Sequence, residues 1–92
     1  MQPLNQFLPR ALASVLRKAP LCDEKVAFAW RTAVGPAVDR VTSVAFRDGV
    51  LWVRTKDPMW QREVERSAAV VRHRLEDLLG AGVVRRIEVI LG

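Results

Sequence analysis

In the first third of the chain, hydrophobic residues recur every three or four positions, a spacing typical of amphipathic helices. The first stripe, between residues 4 and 16, predicts a helix from about residue 8 or 9 to Lys18. A second helix is predicted to follow an Asp23 cap and to end at Gly35-Pro36, where Gly supplies the left-handed cap conformation. The apolar side of this second helix consists of Val26, Trp30 and Val34.

Between residues 42 and 55 the hydrophobic period changes to two, which predicts a β-hairpin. Asp48-Gly49 marks the tight turn at its centre. A two-residue turn there fixes the cross-strand register, and one face becomes apolar, with Val44, Phe46, Leu51 and Val53. The opposite face carries Arg47, Trp52 and Arg54, and a one-residue slip would move those cations into the core.

The second half of the chain predicts a long helix and a last strand. Asp57-Pro58 is a strong helix start, a carboxylate cap followed by Pro in the first helical position, and Gly80 or Gly82 can end the helix. Its apolar stripe consists of Trp60, Val64, Ala68, Val71, Leu75, Leu78 and Leu79. The strand, residues 83–91, is expected to bury Ile87, Val89 and Leu91 and to expose Arg86 and Glu88.

These elements predict an α+β fold in the order α-α-β-β-α-β. A three-stranded sheet with its helices packed on one face is the economical arrangement, and the other face then meets water. The position of the last strand relative to the hairpin stays open at this point. With 92 residues and no linker or repeat, the chain is expected to form a single domain over residues 1–92.

Composition narrows the function. The formal net charge is +5, and twelve of the fifteen cations are arginine, which favours an anionic partner because guanidinium pairs with phosphate through two parallel hydrogen bonds. One His, one Cys and no Gly-rich phosphate loop leave no basis for a catalytic residue, a metal site or a cofactor. No apolar run approaches the roughly 18–20 residues that cross a bilayer, and no export signal is recognisable, so a cytoplasmic location is expected.

The cations predict a candidate nucleic-acid surface. Arg54 and Lys56 directly precede the long helix, so the strand end and the first helical turns are expected to share one positive surface. The candidate nucleic-acid-binding residues are Arg47, Arg54, Lys56, Arg62, Arg66 and Arg86. Charge that only keeps the protein soluble is the alternative interpretation.

Two of the three tryptophans are candidate partner-binding residues. Trp30 lies on an apolar stripe and is expected in the core. Trp52 falls on the polar face of the hairpin, where it could stack on a base or seat a partner's side chain, unless the first helix covers it. Trp60 either covers the edge of the core or projects from it.

Three strings, in order and spacing over nearly the whole chain, resemble the DciA family of bacterial proteins. They are W-R-T-A-V-G from Trp30 to Gly35, R-D-G-V-L-W-V from Arg47 to Val53, and P-M-W-Q-R-E-V from Pro58 to Val64. The resemblance implies a KH-like domain, association with the replicative DnaB-type helicase, a role in loading or operating it, and DNA binding. Nucleic-acid-binding KH domains usually carry a Gly-x-x-Gly loop, which this sequence lacks, so nucleic acid would be held in another way.

By position, Trp30 and Gly35 look like determinants of the family's fold, and Trp60 like its helix-start tryptophan, near the partner surface. The resemblance thus implies a non-enzymatic replication accessory protein whose partners are the helicase and DNA, single-stranded or duplex, without a membrane or a small-molecule substrate. A protein-interaction adaptor that never contacts nucleic acid is the alternative.

Overall fold

The computed structural model describes residues 20–92, and the order of the described elements is α-α-β-β-α-β, in which the second helix is a short one that the sequence analysis did not predict. They are helix α1 (Asp23–Val34), helix α2 (Pro36–Arg40), strand β1 (Thr42–Arg47), strand β2 (Val50–Thr55), helix α3 (Pro58–Leu79) and strand β3 (Arg86–Leu91). The predicted helix that ends at Lys18 lies outside the described residues. The KH-like assignment stays a prediction.

The junction between α1 and α2 differs from the prediction. Gly35 ends α1 as expected, and its N–H donates to the Arg31 carbonyl at 2.8 Å. Pro36 does not end helical structure, however; it begins α2, where the missing amide hydrogen is not needed. At the other end of α1, Asp23 is the first helical residue rather than the cap, and Cys22 occupies the cap position without a side-chain hydrogen bond.

Helix α3 begins and ends where the sequence predicts. The Asp57 carboxylate accepts a hydrogen bond from the Met59 backbone N–H at 2.8 Å, and the N–H of Gly80 donates to the Glu76 carbonyl at 2.8 Å. The buried residues of this 22-residue helix are Val64, Val71, Leu75, Leu78 and Leu79. Within residues 20–92, no helix is both long enough and apolar enough to span a membrane.

The three strands form one mixed sheet in the order β1-β2-β3. Strands β1 and β2 are antiparallel in the predicted register, with Phe46 opposite Leu51. Strand β3 lies parallel to β2, a pairing that the sequence left open. It begins at Arg86 rather than residue 83, because residues 81–85 form the connection from α3 and the Arg85 N–H donates to the Gly49 carbonyl at 2.7 Å.

The core lies between the helices and one face of the sheet. Leu51 and Val53 of β2 are fully buried there, and the helices contribute Trp30 from α1 and Leu75 from α3. Ile87 and Val89 pack against this core as predicted. The prediction for Leu91 is wrong: its exposed fraction is 49%, because it is the last residue of an edge strand.

A buried hydrogen bond joins α1 to the sheet. The Trp30 indole, 1% exposed, donates through Nε1 to Thr42 Oγ1 at 3.0 Å. The Thr42 hydroxyl in turn donates to the Val38 carbonyl of α2 at 2.8 Å. One threonine therefore satisfies the buried indole and connects three elements at the start of β1.

We expect Thr42→Val to lower the free energy of unfolding by about 1–3 kcal/mol, because the isosteric change leaves the Trp30 N–H buried without an acceptor. Chemical denaturation followed by tryptophan fluorescence measures this loss. The matched control is Thr32→Val, which removes an exposed hydroxyl that bonds only the Phe28 carbonyl. Equal losses in the two variants would contradict a role for the indole hydrogen bond.

The hairpin turn has the conformation that its sequence predicts. Asp48 and Gly49 have φ angles of 53° and 80°, and positive φ at both central residues is characteristic of a type I′ turn. The Arg85 guanidinium donates to the Asp48 carbonyl at 2.7 Å and lies directly over the Gly49 Cα. A side chain at position 49 would therefore meet both backbone strain and the Arg85 Nε atom.

Gly49→Ala is expected to destabilise the fold by about 1–2 kcal/mol, the cost of the left-handed conformation for a residue with a Cβ. Thermal unfolding followed by circular dichroism tests this. Arg85→Ala removes the side-chain contact together with its hydrogen bond to Asp48, so the loss that Gly49→Ala causes in an Arg85→Ala background, relative to Arg85→Ala alone, measures the backbone strain. Asp48→Gly serves as the control that keeps the turn, and a loss of equal size there would refute the assignment.

Candidate nucleic-acid interface

The face of the sheet that points away from the helices carries several predicted site residues. We call it the open face. From the hairpin end to the far end, its three cross-strand rows are Arg47, Val50 and Arg86; Ala45, Trp52 and Glu88; Ser43, Arg54 and Ile90. Arg47, Arg54 and Arg86 are all exposed, as the alternation of the strands predicts.

Trp52 occupies the centre of the open face, with an exposed fraction of 37%. Arg47 pairs with Val50, which lies four residues before Arg54 on β2, a separation of about 13 Å along the strand. An aromatic ring thus lies between cations at the two ends of the strand. Beside the ring, Glu88 accepts from Arg86 Nε at 3.0 Å, so the Arg86 charge is partly neutralised.

A groove at the far end of the sheet gathers further cations. Its lining includes Arg40, Arg54, Lys56 and Trp60, and its volume is about 490 Å³. We call it the basic groove. The structure therefore brings Arg54 and Lys56 together, as expected from their positions before α3. Arg40 joins them because α2 ends beside the first residues of β1.

The charges of the basic groove are unbalanced. Its three cations form no salt bridge with any residue that the structure describes. The carboxylate in the lining is Asp57, whose Oδ1 atom already accepts the Met59 N–H. An anion that enters the groove therefore meets cations that do not have to break an existing pair.

The remaining predicted cations lie elsewhere. Arg66 pairs with Glu63 at 3.1 Å on the exposed side of α3. Arg62 is exposed on the same helix and does not line the basic groove. The sequence predicted that the strand end and the first turns of α3 share one positive surface. Arg54 and Lys56 line the basic groove, whereas Arg62 does not line it and Arg66 lines the groove between α3 and the end of α1 with α2.

A second groove, between α3 and the end of α1 with α2, is mainly apolar. Its volume is about 360 Å³, and its apolar lining consists of Ala33, Val34, Val38, Trp60, Val64, Val70 and Val71. We call it the apolar groove. Val70 is 56% exposed, and Arg74 on the rim donates to the Ala33 carbonyl at 2.9 Å. Trp60 is partly buried and lines both grooves.

Arg40 and Val70 were missed by the sequence analysis for different reasons. Arg40 belongs to α2, and Pro36, a favoured first helical residue, was the available signal for that helix. Val70 lies outside the apolar stripe of α3, and only its position beside α1 and α2 gives it neighbours.

The described carboxylates do not gather into a metal site. In residues 20–92, no three or more His, Cys, Asp and Glu side chains are grouped so that they could hold a metal ion. Asp57 caps α3, while Glu63, Glu76 and Glu88 each accept from an arginine. These four carboxylates therefore have local structural partners.

Comparison with known proteins adds one match. A family model described as "Dna[CI] antecedent, DciA" matches residues 3–89. The matched range includes the open face apart from Ile90, the cations and the tryptophan of the basic groove, and the whole apolar groove. No curated protein matches the chain.

Proposed function

The chain belongs to the DciA family, which is associated with loading of the replicative DnaB helicase, and from this we propose that it is a non-enzymatic accessory protein of DNA replication. In this proposal it contacts both the helicase and DNA directly, assists helicase loading and acts in the cytoplasm. Its contribution is to position the two partners, so no bond has to be made or broken.

One observation carries this proposal: the domain has two chemically different surfaces on opposite sides of the sheet. The open face carries Trp52 between cations. The apolar groove lies in the helix layer, on the other side. A module with this arrangement can hold a nucleic acid and a protein at the same time.

The open face fits the DNA backbone. Arginine binds phosphate oxygens through charge-assisted hydrogen bonds, and an exposed indole can stack on a base of any sequence. Arg47 and Arg54 lie on either side of Trp52 along the strands. Binding of this kind is sensitive to salt and tolerant of sequence, and it does not need a Gly-x-x-Gly loop.

The apolar groove fits a protein partner. Exposed apolar side chains beside a half-buried tryptophan, bordered by charged residues, are characteristic of the centre and rim of a protein interface. Val70 supplies the exposed apolar contact, while Glu63 and Arg66 lie on the rim. We assign this groove to the helicase.

A second candidate function is an adaptor that binds protein but no nucleic acid. It is favoured by the pairing of Arg66 with Glu63 and of Arg86 with Glu88, which reduces the free positive charge on two of the surfaces. The two functions differ in whether the protein binds DNA at all.

Arg47→Gln combined with Arg54→Gln is expected to weaken binding of single-stranded DNA and to lower the slope of log affinity against log salt concentration by about 0.7 per lost phosphate contact. Fluorescence anisotropy of a labelled 20-nucleotide strand measures this. The control, Arg31→Gln with Arg72→Gln, removes the same charge from the helix layer. Identical salt slopes in the two double variants would remove Arg47 and Arg54 from the DNA contact, and an absence of DNA binding by the unmodified protein at low salt would favour the adaptor.

Val70→Asp is expected to weaken binding to the purified helicase by roughly tenfold or more, because a hydrated carboxylate would replace the exposed apolar contact in the groove and would have to be desolvated on binding. Ala69→Asp places the same charge on the neighbouring exposed residue of α3. Biolayer interferometry with immobilised helicase compares the two, and both should retain wild-type DNA affinity. A similar loss in both variants would place the helicase contact elsewhere.

A further inference from the structure

We infer that the basic groove is a nucleotide subsite for single-stranded DNA, in which Trp60 stacks on one base while Arg40, Arg54 and Lys56 hold adjacent phosphates. The inference rests on the proposed DNA-binding function and adds two points to it: which strand form is preferred, and where an unpaired base is held.

Charge complementarity supports a phosphate ligand. Arg66, Arg72 and Arg86 each pair with a glutamate, and Arg74 and Arg85 each donate to a backbone carbonyl. The three cations of the basic groove have no such partner among the described residues. They converge on one groove from α2, β2 and the turn before α3.

The shape of the groove supports a base together with its phosphate. The groove is open to solvent, and its volume of about 490 Å³ leaves room for one base with its phosphate. Trp60 lies in the first turn of α3, is partly buried and lines the groove, so its ring is available to a base that enters there. Ser43 also lines the groove and is exposed, so its hydroxyl can donate to phosphate.

The position of Arg54 connects the groove to the open face. Arg54 lines the basic groove and also lies two residues from Trp52, about 7 Å along β2. A flexible strand can follow Trp52, Arg54 and Trp60 with successive bases turned toward the protein. A duplex keeps its bases paired and stacked, so it can present only its phosphates to these cations.

The test compares three labelled ligands of equal length: an oligothymidine strand, an abasic strand with the same phosphates, and a duplex. All proteins carry Trp52→Leu, so that Trp60 is the remaining tryptophan outside the core. The parent should bind oligothymidine at least about fivefold more tightly than the abasic strand, and Trp60→Leu should remove this preference. Trp60→Phe should retain most of it.

Arg40→Gln should weaken binding of both single strands without changing the preference for bases, and Arg31→Gln is its matched control. Nuclear magnetic resonance of the indole N–H groups in the Trp52→Leu parent gives a readout independent of the Trp60 variants. Oligothymidine should shift the Trp60 signal, whereas the abasic strand should shift it much less. This readout decides the question even if Trp60→Leu proves unstable by circular dichroism.

The outcomes separate the two claims. Failure of the wild-type protein to bind any of the three DNA ligands would overturn the proposed function and this inference together. If the two double arginine variants differ in salt slope but Trp60→Leu keeps the preference for oligothymidine over the abasic strand, the groove assignment alone is overturned. If an oligoglutamate peptide displaces the labelled oligothymidine as strongly as unlabelled oligothymidine does, the groove is assigned to an acidic protein segment instead.

Discussion

The alternation of side chains along the hairpin is the constraint on which the rest of the structure depends. Asp48 and Gly49 allow a two-residue turn, and that turn leaves one register in which Leu51 and Val53 reach the core. Because the period is two, the same register places Trp52 and Arg54 on the other side of the sheet. The burial of Leu51 and Val53 therefore also determines the side of the sheet on which Arg54 lies.

The parts of the fold that were predictable are those determined by local chemistry. The turn, the strand register and the start of α3 depend on residues within a few positions of one another, such as Asp57 and Met59. The parallel pairing of β3 with β2 was not predictable, because it depends on a contact between residues far apart in sequence. The pairing joins residues 50–55 to residues 86–91, and the hydrogen bond from the Arg85 N–H to the Gly49 carbonyl lies just before it.

The candidate site was predictable on the strands and less so on the helices. Strand alternation placed Arg47 and Arg54 correctly on the exposed face. Proximity in sequence suggested that Arg62 and Arg66 continue this surface. Successive residues of a helix point about 100° apart, however, so these side chains point away from the side of the molecule on which Arg54 lies. Arg40 approaches Arg54 only through tertiary structure, because α2 returns the chain to the sheet.

Trp60 connects the two surfaces that the proposed function requires. The indole lines the basic groove on one side and the apolar groove on the other, so a ligand in either groove contacts the same ring. Because one side chain forms part of both walls, a shift of the indole that suits a ligand in one groove also alters the other groove. Under the proposed function, the DNA contact and the helicase contact therefore share one residue at the start of α3.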